Sequence, residues 1–240
     1  GCGMSSGWSQ RGLALLHDAL ATGAVKAVYL RDERSRQLWD ETFGSRHGLL
    51  AMIVRDPGLL ASAVWPAKAA PQDTRPLGLN ITSQIAVHYH SADAPAAGVL
   101  EEWYVSLAAQ LVAQGHRLAV FTNGSPEDRA TLAALRPRLS MLDGGGQVDF
   151  PEAMTPAQLV GVIAGLGGLV AFRMHAIIAA FSHGVPFLAL SWDPKLDSFV
   201  ESVGLGGWLV KVRAGEGTAA AGLLEAAMAQ GIGADSRQQV

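Results

Sequence analysis

The stretch Phe172-Arg-Met-His-Ala-Ile-Ile-Ala-Ala-Phe-Ser-His-Gly-Val-Pro-Phe-Leu-Ala-Leu-Ser-Trp-Asp-Pro-Lys195 decides how this chain is read. The apolar run over 169–172 predicts a buried strand. Residues 174–182 predict an apolar helix closed by Gly184, and 185–190 predict a second buried strand. Asp193-Pro194 then opens another helix, with an N-cap acid and a proline at the first helical position. Strands that are apolar throughout, joined by a helix, are the signature of a parallel sheet covered on both faces. The surrounding run 157–192 does not read as a membrane span, because Arg173, His175, His183, Pro186 and five glycines interrupt it.

The same alternation extends outward. Upstream, strands are expected over 77–82 and 117–122, and a long helix over 95–114 stopped by Gly115. Ser125-Pro-Glu-Asp128 and Thr155-Pro156 each read as a helix start, the second helix ending near Gly165. Downstream, a helix ends at Gly204, a last strand covers 208–212 and a last helix 218–230. Residues 77–230 therefore predict one domain with a mainly parallel sheet covered by helices on both faces, followed by a frayed tail over 231–240. Ahead of it, the Ala- and Pro-rich segment 65–76 reads as a linker. Residues 1–64 read as part of a second α/β domain, with a helix over 11–22, strands over 24–30 and 48–54, and a charged helix start at Arg31-Asp-Glu-Arg-Ser35. The glycines at 1, 3 and 7 do not form GxGxxG and look like a loop leaving a strand outside this sequence.

Composition narrows the classes of function. The chain has 240 residues, 49% hydrophobic and 16% charged, so it can bury a sizeable core. A net charge of -3 with no block of like charges argues against a broad nucleic-acid surface while leaving room for a local anion pocket. Cys2 alone permits neither an internal disulfide nor a multi-cysteine zinc site. Together with the missing signal pattern, this points to the cytoplasm, including the inner face of the membrane.

In parallel sheets ligands bind outside the carboxyl ends of the strands. Three polar clusters are expected there: Arg31-Asp32-Ser35, Arg173-His175 and Ser191-Asp193-Lys195. Arg173 and His175 enter the first turn of an apolar helix, where free N–H groups and the dipole favour anions. Arginine adds a planar fork for carboxylate or phosphate, and histidine a proton donor near neutral pH. The plainer alternative is that Arg173 pairs structurally and His175 is a satisfied core histidine. Lys195 reads equally as an anion ligand or a solvated side chain, and Asp193 as an N-cap. Spacing alone makes Arg31–Ser35 an ordinary charged helix start. His88-Tyr89-His90 with Asp93 is too thin for a metal site and reads as loop polarity, and His183 as structural. No metal site is expected.

At these residues the chain resembles the polysaccharide pyruvyl transferases. Their signature reads Arg-Leu-His, an apolar helix, Gly-Val-Pro, an apolar strand, then Ser-Tyr-Asp-x-Lys, and the 172–195 stretch is similar with Met174 for Leu and Trp192 for Tyr. Tyr29-Leu-Arg-Asp-Glu-Arg-Ser35, Arg55-Asp-Pro-Gly-Leu-Leu60 and Leu77-Gly-Leu-Asn-Ile81 resemble further family segments in the same order. The resemblance implies two Rossmann-like domains of glycosyltransferase-B type. The family's glycine-rich opening and first strands have no counterpart here, which implies an incomplete first domain and a fragment or degenerate member. It also implies phosphoenolpyruvate as co-substrate, no cofactor, and a glycan or lipid-linked sugar acceptor; homo-oligomer formation stays open. The product would be a pyruvate ketal on a sugar of a polysaccharide or cell-surface glycan. Carried over residue by residue, it makes His175, Arg173 and Asp32 catalytic, with Arg173, His175, Lys195, Arg31 and Ser191 binding the donor. A nucleotide-sugar glycosyltransferase of the same fold and a non-catalytic sugar- or anion-binding remnant are the alternatives.

Overall fold

The computed structural model describes residues 3–4, 7–67, 74–90, 94–233 and 237. The chain divides into two compact units, Gly1–Pro57 and Gly58–Val240. Part of the segment read as a linker, 68–73, lies outside the described residues, as do Asp93 and most of the tail.

The first unit is small. Strands β1 (Tyr29–Leu30) and β2 (Met52–Ile53) pair in parallel, Tyr29 opposite Met52 and Leu30 opposite Ile53. The helices Gln10–Ala21 and Glu33–Trp39 contribute Leu20 and Trp39 to a core in which Leu30, Phe43 and Ala51 also meet. Both strands are much shorter than the apolar runs 24–30 and 48–54 suggest, because only two residues of each find a ladder partner.

The second unit carries a six-stranded parallel sheet. Its strands are β3 (Leu77–Asn80), β4 (Leu118–Phe121), β5 (Val148–Asp149), β6 (Gly168–Ala171), β7 (Phe187–Leu190) and β8 (Leu209–Val210). Their spatial order is β5-β4-β3-β6-β7-β8. Every residue of β3, β4, β6 and β7 is buried, as continuous apolar runs require when helices cover both faces. The helices Val99–Ala113, Pro126–Ser140 and Gly217–Gln230 pack as one layer, and Pro156–Ala164 packs on Met174–Ser182. Contact within the first layer is tight: a Cβ at Gly217 would sit 2.5 Å from the Trp103 carbonyl oxygen. No helix among the described residues is long and apolar enough to cross a membrane.

Element boundaries depart from the sequence reading where local caps decide them. The long helix starts at Val99 rather than 95, because Gly98 turns into the left-handed region at φ 80°. The His88-Tyr89-His90 segment is the end of a helix, Gln84–His90, and not a loop. Ser83 accepts the Ala86 amide at 3.1 Å and starts that helix.

Candidate functional site

The strand order reverses direction between β3 and β6, so connections leave these neighbours toward opposite sides and open a crevice at their carboxyl ends. Polar residues collect there. Asn80 ends β3 and donates to Asn123 Oδ1 at 2.9 Å, beyond the end of β4. The Thr82 amide donates to the Tyr104 hydroxyl at 3.1 Å, and the Ser83 amide to Asp128 Oδ1 at 2.8 Å. Burial holds the Tyr104 hydroxyl protonated well above its ordinary range. Asn80 Oδ1 and Thr82 Oγ1, both buried, have no hydrogen-bond partner among the described residues, which is unusual in a folded interior.

Arg173 follows β6 and occupies the N-cap position of the helix Met174–Ser182, with extended backbone. Its Nε and Nη2 donate to Asp128 Oδ2 at 3.0 and 2.6 Å, and Nη2 lies 3.5 Å from Ser125 Oγ. The guanidinium carbon sits 5.5 Å from the Trp192 ring centroid. Asp128 is fully buried, whereas the Arg173 side chain remains 23% exposed. A buried carboxylate is tolerated only when paired and hydrogen-bonded, and Asp128 uses both oxygens. The result is an arginine whose orientation is fixed from behind while one side still meets solvent.

His175 occupies the second residue of the same helix and is exposed. Ser191 to Lys195 leave β7, the parallel neighbour of β6, from the same edge of the sheet. Ser191 Oγ donates to Asp197 Oδ2 at 2.9 Å, and Asp193 caps the helix Pro194–Ser202 by accepting the Lys195 amide at 2.8 Å. The Lys195 side chain is half-buried. Burial raises the Asp197 carboxyl above its ordinary value; the Ser191 hydrogen bond opposes this, and Glu201 and Asp193 reinforce it. His183 lies 3.0 Å from the Ala179 carbonyl oxygen and 2.9 Å from that of Trp65, a structural position as the sequence suggests.

Arg31, Asp32 and Ser35 belong to the first unit. Asp32 caps the helix Glu33–Trp39 by accepting the Ser35 amide at 2.7 Å, and Ser35 Oγ accepts the Met4 amide at 2.8 Å. Arg31 lies 3.4 Å from Asp56 and 3.7 Å from Asp32. Among the described residues no group of three or more His, Cys, Asp or Glu side chains could hold a metal.

Sequence reasoning missed Asp128, Asn80, Asn123 and Tyr104. Asp128 was legible only as an acid in a helix's first turn; its pairing across 45 residues is set by strand order.

The sequence profile of the polysaccharide pyruvyl transferases matches residues 1–194. The chain belongs to that family. Arg173, His175 and Ser191 fall inside the matched span, and Lys195 lies one residue beyond it. None of the curated protein sequences is significantly similar to this pyruvyl transferase family member. Among solved structures, a glycosyltransferase from Rickettsia africae ESF-5 aligns 97% of this chain with 60% of its own, at 9% identity and TM-score 0.52. Anabaena Alr3699/HepE, solved in complex with UDP and glucose, aligns 96% of this chain with 63% of its own, at 13% identity and TM-score 0.53. Identities this low speak to fold alone: α/β with parallel sheets, of the glycosyltransferase-B kind. The chain spans about three-fifths of the length of these neighbours.

Proposed function

We propose that this family member takes part in moving a pyruvyl group from phosphoenolpyruvate to a sugar, with the donor held at the carboxyl ends of β6 and β7. The observation that carries the reading is Arg173. It stands at a helix N-terminus beside the sheet's switch point, and its fork is oriented by a buried carboxylate. A charged ligand binds best to a cation that needs no reorganisation, and the bond to Asp128 supplies that rigidity.

Phosphoenolpyruvate carries a carboxylate and a phosphate close together. Arg173 would take the carboxylate and Lys195 the phosphate, with Ser191 as a neutral donor beside them. His175, two residues from Arg173, would protonate the methylene carbon of the donor. The cation-like centre at C2 then accepts one sugar hydroxyl. Phosphate leaves as the C–O bond to it breaks, and a second hydroxyl closes the ketal. One proton is gained at C3 and one lost from each hydroxyl, so the ketal and hydrogen phosphate balance donor and acceptor. Arg31 and Asp32, in the other unit, are the family's further candidates, with Asp32 as the alternative proton source.

Calorimetry with phosphoenolpyruvate, chelator present, tests this. Arg173→Lys keeps a cation near Asp128 but loses the fork, and should weaken donor binding at least about tenfold. His175→Gln should leave donor affinity within a few fold while turnover falls by about 10²–10⁴. Equal affinity of wild type and Arg173→Lys would overturn the assignment. The fold shared with Alr3699/HepE, which was solved with UDP and glucose, favours one second reading, a nucleotide-sugar glycosyltransferase. Turnover that requires a nucleotide sugar and ignores phosphoenolpyruvate would establish it instead.

A further inference from the structure

A cavity of about 270 Å³ lies beyond the ends of β4 and β5, and no role described above uses it. One wall is a stripe of the helix Pro126–Ser140: Arg129, Leu132, Ala133 and Arg136. These are positions i, i+3, i+4 and i+7, so they share one helix face, apolar in the middle with a guanidinium at each end. Seven residues of helix rise about 10 Å, which sets the spacing of the two charges. The facing wall is the segment after β5, where Pro151, Ala153 and Met154 add apolar surface.

Both arginines are anchored. Arg129 Nε donates to the Gly124 carbonyl oxygen at 3.1 Å, and the Arg136 guanidinium lies over the Phe150 ring at 4.7 Å. Anchoring lowers the entropic cost of using their remaining N–H groups on a ligand. Thr122 lines the Arg129 end of the cavity. The loop that follows it runs through Gly124 to Ser125 and Asp128, the residues that hold Arg173. Glu152 is the one carboxylate in the lining; it is exposed and can accept from ring hydroxyls or N–H groups.

From this arrangement we infer that the cavity binds the acceptor as an organic phosphate, enclosing the phosphate and one ring of it. The ring lies on the apolar stripe and the phosphate is read by the arginines. The inference rests on the proposed pyruvyl transfer and names the substrate class for it. The cavity's volume holds one ring with its phosphate, so any further ring of the acceptor lies outside it. Pyruvylation then acts on a phosphorylated precursor, and the reaction that releases the sugar from its phosphate must follow. Two sources share this chemistry, a sugar phosphate and a nucleoside diphosphate carrying the sugar.

Calorimetry on the whole protein with glucose 1-phosphate, uridine diphosphate and inorganic phosphate separates them. One of the two organic phosphates should bind at least about tenfold tighter than inorganic phosphate. Arg129→Ala and Arg136→Ala should each weaken it about tenfold, the loss of one charge-assisted contact. Arg136→Ala should leave phosphoenolpyruvate affinity unchanged. Binding of neither organic phosphate, binding no tighter than inorganic phosphate, or binding unmoved by both substitutions would overturn the inference. Wild-type protein that binds an organic phosphate through these arginines and not phosphoenolpyruvate overturns the donor assignment and leaves the cavity's.

Discussion

Each unit of this chain places an arginine just after the end of a strand and surrounds it with carboxylate, yet the two arrangements differ in kind. In the second unit Arg173 makes two hydrogen bonds to one oxygen of a fully buried Asp128, whose other oxygen takes the Ser83 amide. In the first, Arg31 lies 3.4 and 3.7 Å from Asp56 and Asp32, and Asp32 spends its capping oxygen on Ser35. The strands behave alike: the four central strands of the second unit have four residues each and are buried at every position, whereas the two-residue strands of the first leave Tyr29, Met52 and Ile53 exposed. A short, close ion pair is held where a rigid sheet fixes both backbones. Where pairing is limited to two residues, the same residue types settle into longer contacts.

The largest effect should come from breaking the close pair. Arg173→Met leaves Asp128 charged and buried, and should cost about 3–5 kcal/mol, read as a fall in the urea midpoint. Arg173→Met combined with Asp128→Leu should recover part of this, because the buried charge is gone, while the Ser83 amide loses its acceptor. A single substitution without effect would mean that Asp128 is not held as described. Arg31→Met tests the other half of the comparison and should cost about 1.5–3 kcal/mol, the range of one hydrogen bond to a charge. A loss as large as that of Arg173→Met would erase the distinction between the units.

Much of the second unit was legible because its sequence states each boundary twice, once in apolar runs and once in caps. Met174 to Ser182 was read to the residue, bounded by Arg173 and closed by Gly184 at φ 69°. The strand at Val148–Asp149 was not anticipated, since two residues after a glycine loop carry no periodicity. The helix Gln84–His90 was hidden by its histidines, whose polarity outweighed the single cap at Ser83. Of the site, Arg173 was legible because an arginine between apolar segments needs a partner. Which partner was not, because Asp128 reaches it only after β3 inserts between β4 and β6. The cavity arginines were equally hidden: Arg129 and Arg136 share a helix face that spacing reveals, but the wall opposite comes from after β5.

Asp197 sharpens the comparison from the other side, with the smallest expected effect. Like Asp128 it is a carboxylate near the carboxyl edge of the sheet, but no arginine is described beside it. Its Oδ2 accepts from Ser191, and its buried Oδ1 has no hydrogen-bond partner among the described residues. Burial therefore favours the protonated form and raises its pKa above the ordinary 3.8. The sign follows from linkage. The folded state holds this proton more tightly than the unfolded one, so the contribution to stability is complete below 3.8 and is lost as pH rises through the folded value. Asp197→Asn keeps an oxygen for Ser191 and removes the charge. The variant should match wild type in acid and become the more stable of the two as pH approaches neutrality, in urea midpoints measured across that range. A wild type that gains stability over Asp197→Asn as pH rises would show that the ionised Asp197 is compensated in the fold, with Lys211 the cation that acts on it.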